Sequence, residues 1–438
     1  MGNTIRINEK IKSYKKEILV SGDKSLSIRW ILLSSLSEGK SIATNLLKSE
    51  DIISSLNCIK KLGVRYKFEK NRCVIFGVGL NGYLHKKNLV LNAGNSGTLG
   101  RLILGILVHY PLKVKIIGDN SLSKRDFTRI TEPLERFGAK FETNKGKLPI
   151  YITGTRNPKA IEYLENKGSA QCKSSVMLAA LNTPGQTIIK AKKSRDHTEI
   201  MFKNLNIPIQ IIKKKKIDII KIYKTNRIKN LNYKIPSDIS SAAFFMVLTA
   251  LIKNSELIIR NVNINPSRIG VIKILKMMGI KLTCKNIRLY KGEKTADIKI
   301  KSTKKINAIS CPEYLNSAAI DEFLIIFLIA AKAKGVSHFT NLSELNQKES
   351  PRLKWGSKIL NLMGVKTKIT DNSIKIYGNP NLKINKKIVI KNYQKDHRVF
   401  MTSIIASLAF GGKWTIHDKD SIKTSFPSFL KIINDIKK

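Results

Sequence analysis

SGTLGRLILGILVHYPLK, residues 96–113, carries the pattern on which the architecture turns: polar residues at a helix start, then an apolar run. The same pattern begins at Lys24-Ser25-Leu26-Ser27, Ser169-Ala170-Gln171, Ser240-Ser241-Ala242, Asp321-Glu322 and Asp396-His397-Arg398, a period of roughly 70–80 residues. After each such helix come a small turn, a short β-rich strand, and a loop with Ser, Asp or Asn. An amphipathic second helix with i, i+3, i+4 apolar spacing follows, as in SEDIISSLNCIKKLGV and SELIIRNVNINPSRIGVIKILKMMGIKL. A helix start leaves backbone N–H groups unpaired and carries partial positive charge. Six polar starts of this kind can converge on one anion site.

The bulk composition is that of an ordinary globular protein. At 438 residues with 42% hydrophobic content, the chain can form two or three domains with full cores. Its longest apolar runs, such as Phe323 to Ala331, fall short of a bilayer span, so no membrane association is expected. The charged opening MGNTIRINEKIKSYKKEILV lacks the apolar core of a signal peptide. Cys58, Cys73, Cys172, Cys284 and Cys311 are scattered and form no metal or disulfide framework, which reads as reduced thiols in a cytoplasmic protein. The net charge of +49 fits either nucleic-acid binding or a compositional drift toward Lys and Ile. Drift is favoured, because the lysines spread along the length and alternate in strand candidates such as IKIKSTKKINAI, with no nucleic-acid motif beside them. No specific nucleic-acid partner is expected, and the charge still steers anions inward.

The helix–strand–helix–strand grammar points to an α/β chain of two lobes with three repeats each. One seam falls near Lys234-Ile235-Pro236-Ser237 and a second at Val20-Ser21. Residues 21–235 are expected to form the N-terminal lobe; residues 1–20 together with 236–438 are expected to form the C-terminal lobe. Two chain crossings would make a hinge, with substrate taken up in an interlobe cleft. A further strand candidate runs from Leu382 to Ile390. A solenoid scaffold is the alternative, but the loops place Lys, Arg, Gln, Asp and Glu at corresponding points, which favours one asymmetric site.

Nine segments in order resemble the 5-enolpyruvylshikimate-3-phosphate synthase family. They are SGDKSLSIR (21–29), LNAGNSGTLGR (91–101), SLSKR (121–125), GSAQCKSS (168–175), SRDHTE (194–199), AIDEF (319–323), QKESPRL (347–353), KDHR (395–398) and TSFP (424–427). The SAQ and SRDHTE forms resemble the branch called class II. The resemblance implies the enolpyruvyl transferase fold of six βαβαββ-type units. It also implies transfer of the enolpyruvyl group of phosphoenolpyruvate to the 5-hydroxyl of shikimate 3-phosphate, with release of phosphate, in chorismate and aromatic amino acid biosynthesis. No cofactor and no metal are implied, and a monomer is expected.

The same resemblance assigns roles. Lys24, Ser25, Arg29, Ser169, Ala170, Gln171, Arg195, Asp321 and Lys348 would hold shikimate 3-phosphate. Lys24, Asn95, Gly97, Arg125, Gln171, Arg352 and Arg398 would hold phosphoenolpyruvate. Asp321 would take the 5-hydroxyl proton, Glu349 would protonate C3, and Lys24 would share proton transfer and charge stabilisation. Read without the family, the arginines suit phosphate and carboxylate oxygens through their planar forks. Ser169 also reads as a helix cap, and Asp321 and Glu349 read equally well as residues that open helices.

Some positions depart from the family. Pro351 stands where Asp is usual, and with Ser350 as N-cap it would occupy the first helical position. Asp126 replaces a common Pro after Arg125, an exchange expected to loosen that loop. Thr424 falls where some members carry a Lys, with Lys423 one residue early, and His197 stands where other branches have Tyr. Tolerant family members often carry Ala at the position of Gly97, so glyphosate is expected to compete with phosphoenolpyruvate here. The sister transferase acting on UDP-N-acetylglucosamine typically has a reactive Cys in the loop that reads GDNSLSKRDF, which has none. A basic nucleic-acid-binding repeat protein and a folded chain without turnover remain the other readings.

Overall fold

The computed structural model describes residues 3–438. Six helices carry the apolar runs: Lys24–Ser35, Gly97–Leu107, Ala170–Ala180, Ile239–Leu251, Phe323–Ala331 and His397–Phe410. Their side chains are buried on nearly every side; all nine residues of Phe323–Ala331 and all fourteen of His397–Phe410 are in the core. A helix apolar all round has no solvent face to offer, so its polar chemistry is left to its ends. Five of the six starts are closed by a side chain accepting a first-turn N–H: Asp23, Ser96, Ser169, Asp238 and Asp396. The sixth, at Glu322, has no such bond. Asp321 therefore lies in the turn before the helix and does not cap it, and the fourth helix opens at Asp238, two residues ahead of Ser240.

The chain divides into two compact units. One comprises Gly22–Ile235 with Lys291–Glu293; the other comprises the chain up to Ser21, Pro236–Tyr290 and Lys294–Lys438. In the first unit three four-stranded sheets share one plan. Glu38–Thr44, Lys113–Ile117 and Gln186–Lys192 each lie between a parallel edge strand and the longer arm of an antiparallel hairpin. These strands alternate buried and exposed residues, as in Lys147–Thr153, and lysines such as Lys113 and Lys147 take the outer positions. These lysines lie on solvated sheet faces.

The second unit varies the plan. Lys15–Ile18 is the parallel edge strand beside Glu256–Asn263, and Ile5–Ile7 pairs antiparallel with Lys413–Ile416. The last repeat ends in the helix Phe429–Lys437, and Ile5–Ile7 fills the antiparallel position beside its strand. Its three apolar helices touch one another and share one core with Trp414, Phe426 and Phe429. The expected strand Leu382–Ile390 is confined to Lys387–Ile390, because a turn closed by Leu382 N–H on the Asn379 carbonyl and the irregular chain after it tuck Leu382 and Ile384 into the core.

In the first unit the Gly97–Leu107 and Ala170–Ala180 helices approach closely at Gly105, where a Cβ would sit 2.1 Å from the Ser175 carbonyl oxygen. Because that neighbour is backbone, it cannot swing aside. Gly105→Ala is expected to cost about 1–3 kcal/mol through overpacking. Thermal unfolding checks this, and an unchanged Tm would show that the helices can part without penalty.

Candidate active site

In the unit Gly22–Ile235 the functional candidates gather at the starts of three apolar helices. Asp23 caps the first, its Oδ1 accepting from the Leu26 N–H at 2.9 Å. Lys24 follows, with its Nζ 3.1 Å from Asp51 Oδ2. One turn later Arg29 is buried and held along its length. Its Nε donates to Thr198 Oγ1 at 2.8 Å, its Nη2 to Ser174 Oγ at 3.1 Å, and its Nη1 to the Ser25 carbonyl at 3.1 Å. These three bonds fix the plane of the guanidinium fork.

The second and third helix starts meet. Gln171 Nε2 donates to Thr98 Oγ1 at 2.9 Å, and its Oε1 accepts from Arg101 Nη1 at 2.7 Å. Arg101 also lies 5.2 Å over the Phe127 ring. Gly97 opens its helix beside two guanidinium groups: a Cβ there would stand 2.9 Å from Arg125 Nη1 and 3.1 Å from Arg101 Nη1. Ser169 caps the third helix, its Oγ accepting from the Cys172 N–H at 3.3 Å, and Ala170 is that helix's first residue. Asn95 Nδ2 donates to Asp119 Oδ2 at 2.6 Å. Arg195 is half-buried two residues before the His197–Asn204 helix. The loop at Asp126 is pinned: Asp126 Oδ1 accepts from the Thr128 N–H at 2.8 Å, and its carbonyl accepts from Arg101 Nη2 at 3.3 Å. Asp126 thus closes a hydrogen-bonded turn at this position.

In the other unit the candidates form one network around Arg352, which is only 2% exposed. Its Nε donates to Asp396 Oδ2 at 2.8 Å and its Nη2 to Asp396 Oδ1 at 3.3 Å. The same Nη2 donates to Glu349, and Nη1 lies 3.4 Å from Asp321 Oδ1. Lys348 Nζ stands 3.6 Å from that Asp321 oxygen, and Arg398 Nη1 donates to the Asp321 carbonyl at 2.6 Å. Asp321, Lys348, Glu349, Arg352 and Arg398 are thus brought together.

Ser350 does not cap its helix. Its hydroxyl donates to Asp396 Oδ2 at 2.9 Å, and Pro351 takes the N-cap position, with the helix running Arg352–Leu362. The buried Asp396 carboxylate takes the Ser350 hydroxyl as a donor. Lys423 Nζ lies 2.8 Å from Asp420, and Thr424 Oγ1 donates to the Ser421 carbonyl.

Asp396, Arg101 and Asp51 escaped the sequence reading. For Asp396 the signal was present, in its place at the head of the sixth apolar helix. Arg101 ended a quoted motif, while Asp51 carries no local mark. Chemically, the second unit presents two half-buried carboxylates among three cations, which suits acid–base work on an anionic substrate.

Comparison with known proteins agrees. A family model described as EPSP synthase (3-phosphoshikimate 1-carboxyvinyltransferase) matches residues 8–433. The 3-phosphoshikimate 1-carboxyvinyltransferase of Ruthia magnifica subsp. Calyptogena magnifica is 42% identical over 418 residues, 95% of this chain and 94% of that protein. The protein of that name from Zymomonas mobilis is 35% identical over 435 residues, 98% of this chain and 96% of its own. The structure of EPSP synthase from Acinetobacter baumannii has a TM-score of 0.86 at 36% identity, covering 99% of this chain and 98% of that one. The enolpyruvyl transferase NikO from Streptomyces tendae, at 11% identity and a TM-score of 0.76 over 100% of this chain and 98% of its own, shares the fold alone. With a match that runs almost from one end of the sequence to the other, the chain belongs to the EPSP synthase (3-phosphoshikimate 1-carboxyvinyltransferase) family.

Proposed function

We propose that this protein joins phosphoenolpyruvate to shikimate 3-phosphate and releases phosphate, with the residues above in the following roles. The observation that supports this most is the family match over residues 8–433, within which every segment carrying a candidate side chain falls. The two compact units correspond in this reading to the two lobes of the fold. Lys24, Ser25, Arg29, Ser169, Ala170, Gln171, Arg195, Asp321 and Lys348 bind shikimate 3-phosphate; Lys24, Asn95, Gly97, Arg125, Gln171, Arg352 and Arg398 bind phosphoenolpyruvate.

The chemistry follows from the charges. The 5-hydroxyl oxygen bonds to C2 of phosphoenolpyruvate as its proton passes to Asp321, which has Lys348 and Arg352 beside it. Glu349 gives a proton to C3, which becomes a methyl group in the tetrahedral intermediate. In the free protein Glu349 is paired with Arg352. Anionic oxygens of phosphoenolpyruvate compete for that guanidinium. A proton then returns from the methyl group to Glu349, the C2–O bond to phosphate breaks, and the enol ether remains. Lys24 and the arginines stabilise the charge that develops on the departing phosphate.

Cytoplasmic residence and a monomeric state complete the proposal. The five cysteines are free, four of them buried, and among the described residues no helix is long and apolar enough to cross a membrane.

Purified protein given shikimate 3-phosphate and phosphoenolpyruvate should release inorganic phosphate, and no release would refute the reaction. Lys24→Met and Asp321→Ala should each lower kcat by roughly 10²-fold or more while circular dichroism shows them folded. Full turnover in either variant removes its assigned role. Glyphosate should compete with phosphoenolpyruvate. Gly97→Ala pushes a methyl group against the movable end of Arg125, so it should raise the inhibition constant for glyphosate and the KM for phosphoenolpyruvate together. An unaltered inhibition constant would contradict this use of Gly97.

A further inference from the structure

The helix His197–Asn204 begins without a side-chain cap, yet its first three residues are all buried and all engaged. Thr198 Oγ1 accepts from Arg29 Nε and lies 2.7 Å from Ser174 Oγ, the other hydroxyl on that guanidinium. Glu199 Oε1 lies 2.5 Å from the buried Lys173 Nζ. His197 Nδ1 lies 2.6 Å from Glu293 Oε1, and both side chains are 0% exposed. A carboxylate only accepts, so Nδ1 carries the proton in this bond.

Glu293 reaches this helix from the tip of a distant hairpin, and the tip is shaped to place it. Gly292 takes a φ of +82°, and a Cβ there would stand 2.7 Å from Ile200 Cγ2, so only glycine lets the backbone lie against the helix. Lys291 Nζ donates to the Asn232 carbonyl. Three consecutive tip residues are thus fitted to the unit that holds Arg29. A buried hydrogen-bonded pair of this kind adds little stability over apolar packing; what it fixes is geometry.

We propose that Glu293 is a positioning residue for shikimate 3-phosphate binding: through His197 it sets the first turn of the helix and so the place of Thr198, the hydroxyl that orients the Arg29 guanidinium. The inference rests on the reading that Arg29 holds this substrate. Nothing in the sequence pattern marks Glu293, which lies 96 residues from its partner.

Steady-state kinetics with each substrate varied tests it. Glu293→Ala should raise the KM for shikimate 3-phosphate roughly ten-fold, as small misplacements of a binding group do, while kcat and the KM for phosphoenolpyruvate hold. Glu293→Gln keeps an oxygen that accepts from Nδ1–H and should stay near the parent value. Glu293→Ala combined with Thr198→Val should cost no more than Thr198→Val alone, since the two act on one guanidinium. A lowered Tm with an unchanged KM for shikimate 3-phosphate, or equal rises in both KM values, overturns the proposal. Should Glu293→Ala not fold, Glu293→Asp retracts the carboxylate by one methylene and should give the same selective rise; a KM for shikimate 3-phosphate equal to the parent's counts against the proposal. Arg29→Lys separates the two layers. If it leaves the KM for shikimate 3-phosphate unchanged, the assignment of Arg29 fails; if it raises that KM and Glu293→Ala does not, only the positioning role fails.

Discussion

Six helices buried on nearly every side impose the constraint from which the rest of the structure follows. Such helices must be walled off from water, so each needs sheet or helix around its whole girth, and the repeat supplies both. Their interiors cannot hold an ionisable group without a partner, because an unpaired buried polar group costs several kcal/mol. The polar residues are therefore driven to the helix starts, where unpaired N–H groups welcome oxygen atoms. Packing logic thereby concentrates caps, cations and hydroxyls at the same ends in Lys24, Gly97, Ser169 and Asp396.

Arg352 shows how the fold tolerates charge near that apolar interior. Burial opposes the ionised form of Asp396, but the adjacent guanidinium wins, and its carboxyl stays below the ordinary carboxylate range. Burial likewise opposes the charge on Arg352, and Asp396, Glu349 and Asp321 together hold the guanidinium above its usual value. The family's usual Asp at the position of Pro351 is absent, yet Arg352 has three other carboxylates. Pro351 itself, with a φ of −69°, fits the entry to a helix without strain. The departure is absorbed locally.

What a reader of the sequence can recover follows from how far apart the interacting residues are. The repeats and helix starts are visible because each is a local contrast between a polar residue and an apolar run, as at Ser96-Gly97 and Ser169-Ala170. Starts shift by a residue or two where several polar residues compete, and at Asp238 a carboxylate caps ahead of Ser240 and Ser241. Ser350 misleads because its local role as a cap yields to Asp396, which is 46 residues away. Pairs such as Arg352 with Asp396, or His197 with Glu293, have no periodic signature and emerge only when the chain is folded. The long strand expected from Leu382 onward fails for a related reason: apolar residues can be buried by a turn as well as by a strand.

The pairing of Ile5–Ile7 with Lys413–Ile416, and of Lys15–Ile18 with Glu256–Asn263, carries a consequence for biogenesis. On a ribosome, these opening strands emerge long before their partners exist. The continuous stretch Gly22–Ile235 can complete its sheets as soon as it leaves the exit tunnel, apart from the three residues of the hairpin tip. Residues 5–18 must therefore wait, with open strand edges, until Glu256–Asn263 and then Lys413–Ile416 have been made. The lysines at Lys10, Lys12, Lys15 and Lys16 give that waiting segment a mutual repulsion that discourages premature pairing with other nascent chains.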